Sequence, residues 1–237
     1  MSVAVDKSPA RIEAMFDGIA RRYDFLNHLL SAGLDRRWRA RAIRAMHLPP
    51  RARVVDLCAG TADFAIEAAH AVPDAEVLGV DFAAAMLAIG REKVRAAGLS
   101  DRVRLVRGDA MTIPVRDGWA DGATIGFGIR NVMDPIVSLR ELARVIKPGG
   151  TLAILEFGEP VIPGVREVYS WYFQQVLPRL GRLVSHHDSA YSYLPASVGS
   201  FPRPATFSAM VSSQGFADVT AVPLSLGIVY LYIAARA

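Results

Sequence analysis

The sequence predicts an α/β fold: a mostly parallel seven-stranded sheet with helices on both faces, an antiparallel strand at one edge and a helical preface at the N-terminus. Three observations predict it. From residue 54 onward, short β-prone apolar runs alternate with stretches of helical periodicity, the pattern of an open parallel sheet covered on both faces. The first run, 54–57, breaks into the small residues Cys58, Ala59, Gly60, Thr61 and Ala62 just before a helical pattern begins. The last two runs, 219–224 and 228–234, lie close enough for a hairpin.

In chain order, Ser8 and Pro9 suit a helix start, and Ile12, Met15, Phe16 and Ile19 recur on one face. A second helix from Asp35 carries Arg36, Arg37, Trp38, Arg39, Arg41 and Arg44. Pro49 and Pro50 close this preface, residues 1–50. Strands follow at 54–57, 76–80, 103–106, about 122–127 and 151–157, with helices from Ala62, over 84–97 and through Ile136, Leu139, Ala143 and Ile146, the last stopped by Lys147-Pro148-Gly149-Gly150. After Pro160 the alternation lapses into an apolar, aromatic-rich stretch, 165–183, expected to be helical as far as Pro178. A helix near 204–214 and the two final runs close the sheet. The expectation is one domain over 1–237, with a cofactor-binding half at 51–160 and a substrate-side, sheet-closing half at 161–237.

At 237 residues the chain holds one substantial domain, and 52% hydrophobic content permits a full core. A net charge of +4 allows attraction to anionic surfaces without requiring it. No run of eighteen or more uncharged apolar residues spans a bilayer, and the first residues lack an apolar signal core, so a cytosolic chain is the default expectation. The single cysteine, Cys58, excludes an internal disulfide and reads as a small turn residue rather than a nucleophile. His186, His187 and Asp188 do not make a metal site, because adjacent side chains on a helix or strand point apart.

The small-residue turn is where chemistry enters. Its lack of bulk lets backbone approach a ligand at the carboxyl end of a strand, beneath the free N–H groups of a helix start. Asp81 ends the next strand about twenty residues after Gly60, where a carboxylate takes the hydroxyls of a ribose. A dinucleotide site needs further glycines for its pyrophosphate, whereas here Ala62 and Asp63 follow. A carboxylate at that mouth suits a cation, and S-adenosylmethionine, with its amino group and sulfonium, is such a ligand.

Several segments together resemble the ubiquinone/menaquinone-biosynthesis C-methyltransferases, within the Rossmann-like class I S-adenosylmethionine-dependent fold. They are Tyr23-Asp24-Phe25-Leu26-Asn27 with Ser31 and Arg37-Trp38-Arg39, then Gly126-Phe127-Gly128-Ile129-Arg130-Asn131-Val132. Arg144 to Gly150 running into Leu155-Glu156-Phe157, and Tyr191-Ser192-Tyr193-Leu194-Pro195 with Ser197, complete the set. The resemblance implies a cofactor site of Asp56, Gly60, Thr61, Asp63, Asp81 and Gly126, with Asp109 and Ala110 beside the adenine. It also implies substrate contacts at Tyr23 and Asn27 and a catalytic pair, Arg130 and Asn131. This chain departs from the family in having Ala62 where glycine is usual, Leu26 where methionine is frequent and Gly126 where serine is frequent.

The implied reaction moves a methyl group from a sulfonium to a ring carbon of a polyprenylated quinol. Ring carbon becomes nucleophilic once a phenolic hydroxyl loses its proton, so the site must stabilise a phenolate. A guanidinium stays protonated, which makes Arg130 a stabiliser rather than the base; Asp63, Tyr23 and His28 are the candidate bases. The arginine-rich helix and the 165–183 stretch are the parts available to meet a membrane surface. Three other readings stand beside this one: a methyltransferase for another small molecule or RNA, a nicotinamide-dependent oxidoreductase, and a scaffold without catalysis. The Asn/Asp-Pro-Pro-aromatic run of nucleic-acid N-methylating enzymes is replaced by Gly128-Ile129-Arg130-Asn131, so nucleic acid is not an expected partner. The missing glycines oppose nicotinamide.

Overall fold

Strands apolar on consecutive residues bury both faces, and a helix layer must then cover each. The computed structural model describes residues 11–18, 33–158 and 196–237, with single positions 8, 20, 31, 160, 164, 167 and 193. Within them, α1 is Leu34–Ala45, β1 Arg53–Leu57, α2 Asp63–Ala71, β2 Glu76–Asp81, α3 Ala84–Ala96, β3 Val103–Arg107 and β4 Ala120–Gly126. A 3-10 turn at Ile129–Asn131 leads to α4 Pro135–Val145, β5 Ile146–Phe157, α5 Pro204–Ser212, β6 Phe216–Leu224 and β7 Val229–Arg236. Residues 11–18 are helical.

The seven strands form one sheet in the order β3-β2-β1-β4-β5-β7-β6. β1 to β5 pair in parallel, and β7 runs antiparallel to both β5 and β6. Successive residues serve opposite layers. Val55, Leu57, Leu152 and Ile154 pack with Leu139, Leu142, Phe207 and Val211 of α4 and α5. Val54, Ala153 and Leu155 pack with Trp38, Ile43, Phe64 and Val94 of α1, α2 and α3. Each large side chain so buried contributes about 2 kcal/mol of hydrophobic stabilisation.

α4 starts on a cap the sequence encodes locally: Asp134 accepts from the N–H of Ile136 and Val137, with Pro135 at the first helical position. Its end differs from the sequence expectation. Helical backbone stops at Val145, and β5 begins at Ile146, before the Lys-Pro-Gly-Gly turn. Ile146 pairs with Ala120 and Thr151 with Gly122, so 147–150 form an irregularity inside the strand, with Gly149 at φ +77°. The apolar stretch 165–183 lies outside the described residues apart from Glu167, as do Tyr23, Asn27, His28, His186, His187 and Asp188.

Reversal of strand order between β1 and β4 opens a crevice at their carboxyl ends, the ligand position of open α/β sheets.

Candidate active site

An open cleft occupies that crevice. Cys58 and Gly60 enter from β1, Asp81 and Phe82 from β2, Asp109, Ala110 and Met111 from the segment after β3, and Gly126, Phe127, Gly128 and Asn131 from β4 and its 3-10 turn. Ile12, Phe16 and Met86 supply apolar wall. Of the sequence-predicted residues, Gly60, Asp81, Asp109, Ala110, Gly126 and Asn131 line the cleft together. Asp56, Thr61, Asp63 and Arg130 stand behind it.

Asp81 is 9% exposed, and its two oxygens accept from Gly60 N–H at 2.8 Å and Ala83 N–H at 2.9 Å. Burial pushes this carboxyl up, against the pull of the Ala83, Gly60 and Phe82 N–H groups. A carboxylate offers about four lone-pair positions, and those not taken by these N–H groups remain for ligand hydroxyls. Asp109 stands exposed on the wall, with Oδ1 accepting from Met111 N–H at 2.8 Å.

Asp56 is 1% exposed beneath the turn, its oxygens taken by Thr124 Oγ1–H at 2.7 Å and Ala65 N–H at 3.1 Å. Burial lifts its carboxyl to about 7 despite these donors. The residue ties β1 to β4 and to α2. Thr61 and Asp63 meet Lys93, whose Nζ donates to Thr61 Oγ1 at 3.1 Å and Asp63 Oδ1 at 2.6 Å. Arg39 lies 3.6 Å from Asp63 and is itself paired with Asp35. The sequence placed the Asp63 carboxylate at the mouth to attract a cation; here two protein cations already compensate it, and it clamps α2 to α3 and α1.

Three side-chain-bearing residues at this carboxyl edge have left-handed backbone: Cys58 at φ +57°, Ala62 at +68° and Phe127 at +58°. Each costs about 1–2 kcal/mol, a strain found where chain direction serves a site. Ala62 stands immediately before α2, in a conformation that glycine adopts freely. Gly128 is needed for packing, because a Cβ would lie 2.3 Å from Cys58 Cβ. At Gly126 a Cβ would lie 3.0 Å from the Phe64 ring, so phenylalanine fills the space a serine would use.

Arg130 and Asn131 share an acceptor. Phe127 O takes hydrogen bonds from Arg130 Nη1 and, at 3.4 Å, from Asn131 Nδ2. Arg130 also pairs with Glu156 at 2.7 Å, the carboxylate having no solvent exposure, and its guanidinium lies 5.2 Å from the Phe157 ring centre. Glu156 accepts in addition from Phe157 N–H at 2.8 Å. Arg130 Nε is buried without a hydrogen-bond partner among the described residues, a cost that a ligand or water acceptor would relieve. Tyr193 reaches Asn131 Oδ1 at 3.0 Å.

Sequence reasoning missed Glu156 and Tyr193 as site residues, although both lie in segments that carry the family resemblance. It also missed Ile12 and Phe16, whose helical periodicity marks a buried face without saying what it covers. The N-terminal helical segment reaches the cleft through Glu13, 2.6 Å from Arg107, and Asp17, which accepts from Ala85 N–H at 3.0 Å.

The model of the ubiE/COQ5 methyltransferase family matches residues 4–236. A Geobacter sp. (strain M21) protein named ubiquinone/menaquinone biosynthesis C-methyltransferase UbiE is 44% identical over 98% of this chain and 99% of its own. A Thermus thermophilus protein named demethylmenaquinone methyltransferase is 46% identical over 94% of this chain and all of its own, 100%. Among solved structures, a SAM-dependent methyltransferase from Aquifex aeolicus superposes with a TM-score of 0.62 at 17% identity, covering 84% of this chain and 89% of that one. That likeness concerns the fold alone. Fold, matched length and identity agree, and the chain belongs to the ubiE/COQ5 methyltransferase family.

Proposed function

We propose that this protein transfers a methyl group from S-adenosylmethionine to a ring carbon of a polyprenylated quinol, with demethylmenaquinol as the acceptor and menaquinol as the product. The observation that carries this reading is the placement of Asn131, backed by Arg130, in the same cleft as Gly60, Asp81 and Asp109. The relatives named for ubiquinone/menaquinone and demethylmenaquinone methylation support the acceptor.

The cleft fits the donor's chemistry. Asp81 has lone pairs left for ribose hydroxyls, Asp109 can accept an exocyclic amine, and Ile12, Phe16, Met86 and Met111 offer apolar contact to a base. Gly60 and Gly126 keep side-chain bulk off the floor. When bound, the cofactor supplies an electrophilic methyl on a sulfonium. The protein's own task is to hold the acceptor as a phenolate with one ring carbon aligned. Asn131 keeps an amide N–H for the phenolate oxygen, and Arg130, behind the cleft wall, acts on that oxygen through a bridging water rather than by direct contact. Glu156 fixes the guanidinium and balances its charge, so Arg130 acts by directed hydrogen bonding more than by net charge. Tyr23 and Asn27 complete the acceptor side in this reading.

A hydrocarbon-tailed acceptor resides in a bilayer. Arg36, Arg37, Arg41 and Arg44 form the exposed side of α1 and have no ion-pair partner among the described residues, which suits an anionic lipid surface. Among the described residues no helix is long and apolar enough to cross a membrane, so the contact in this reading is peripheral.

Mass spectrometry of quinones from cells lacking the protein tests the proposal. Accumulation of a quinone one methyl short is expected, and an unchanged quinone profile would remove the support for this acceptor.

A further inference from the structure

The group that orients Asn131 comes from outside the strands that build the cleft. Phe127 O accepts from Arg130 Nη1, and Phe127 sits in left-handed backbone at φ +58°, so this carbonyl has little freedom to follow its neighbours. A carbonyl can only accept, and Asn131 Nδ2 is the amide atom 3.4 Å from it. Oδ1 is thereby turned toward Tyr193, whose hydroxyl must donate across the 3.0 Å separation. Asn131 is 8% exposed yet lines the cleft. With one amide N–H on Phe127 and the carbonyl on Tyr193, the second N–H is the group left for a ligand. The opposite flip would set Oδ1 against Phe127 O and aim an acceptor at an anionic oxygen, two repulsions at once.

We propose that Tyr193 is a positioning residue: its hydroxyl locks the Asn131 side-chain amide in the one orientation that presents an N–H donor to the acceptor oxygen in the cleft. This rests on the reading of that cleft as a quinol methylation site. It assigns a task to Tyr193, which meets the 3-10 turn after β4 through this hydrogen bond.

The test pairs kinetics with spectroscopy on the full chain. Tyr193→Phe is expected to lower kcat about tenfold, the scale of one lost orienting hydrogen bond, with S-adenosylmethionine affinity by calorimetry unchanged. In an Asn131→Ala background the same substitution is expected to change nothing further. Equal kcat for wild type and Tyr193→Phe, or losses that multiply independently of Asn131, would overturn the assignment. The lock is also read without turnover, from the 15N-resolved side-chain amide of Asn131. Its protons should exchange with solvent faster in Tyr193→Phe, and identical exchange would overturn the proposal. Absent wild-type turnover on a demethylated quinol, with the exchange difference present, would instead condemn the substrate reading.

Discussion

Arg130 and Glu156 show how a position proposed for catalysis can be a structural one as well. Removing either partner of a buried pair leaves an uncompensated charge, at a cost of about 3–5 kcal/mol. Arg130→Met and Glu156→Gln should therefore each lower the urea midpoint, and the double substitution should recover most of that loss while turnover stays low. A double variant as active as wild type would show that the guanidinium serves stability alone. Asp56 makes a separate prediction. Its native carboxyl holds a proton up to about pH 7, whereas an unfolded aspartic acid releases it near 3.8. Between those values the native state binds more protons, so its contribution to stability is full at low pH, declines as pH rises toward 7 and is flat above, a change on the order of 4 kcal/mol. Denaturant titrations at several pH values should show this slope in wild type and lose it in Asp56→Asn. An equal slope in both proteins would place the titration elsewhere.

The strands and the small-residue turn were legible because their cause is local. The mainly apolar runs at 54–57 and 151–157 need burial on both faces, and the small residues 58–62 mark the turn from strand to helix. The N-terminal helical segment was legible as a helix but not as a cleft wall, since what Ile12 and Phe16 cover depends on Glu13 finding Arg107 and Asp17 finding the start of α3. The same limit applied to Asp63. Its position in the turn suggested a free carboxylate, and only tertiary packing brings Lys93 from α3 and Arg39 from α1 to it. An exposed pair such as Glu13–Arg107 contributes at most about 1 kcal/mol. Glu13→Gln should leave the thermal midpoint nearly unchanged and raise the S-adenosylmethionine dissociation rate about two- to fivefold, as stopped-flow displacement would show. An unaltered rate would mean that the segment does not gate the cleft.

The sheet could be inferred from the alternation of runs, and the resemblance spanned nearly the whole chain. The division of labour at the crevice could not, because pairs such as Arg130–Glu156 and Asn131–Tyr193 join residues distant in sequence. The exposed arginines of α1 carry a prediction for the molecule as a whole: binding to anionic liposomes at low salt, weakened when Arg36, Arg37, Arg41 and Arg44 are replaced together by glutamine and abolished by raised ionic strength. Liposome binding unaffected by those replacements would move the membrane contact to another surface. The most direct measurement is methyl transfer by the purified protein, using S-adenosylmethionine labelled at its methyl carbon and reduced demethylmenaquinol, with the product analysed by mass spectrometry and carbon NMR. The expected product carries one labelled methyl on a ring carbon. Label found on oxygen, or no label transferred while S-adenosylmethionine binds, would contradict quinol C-methylation.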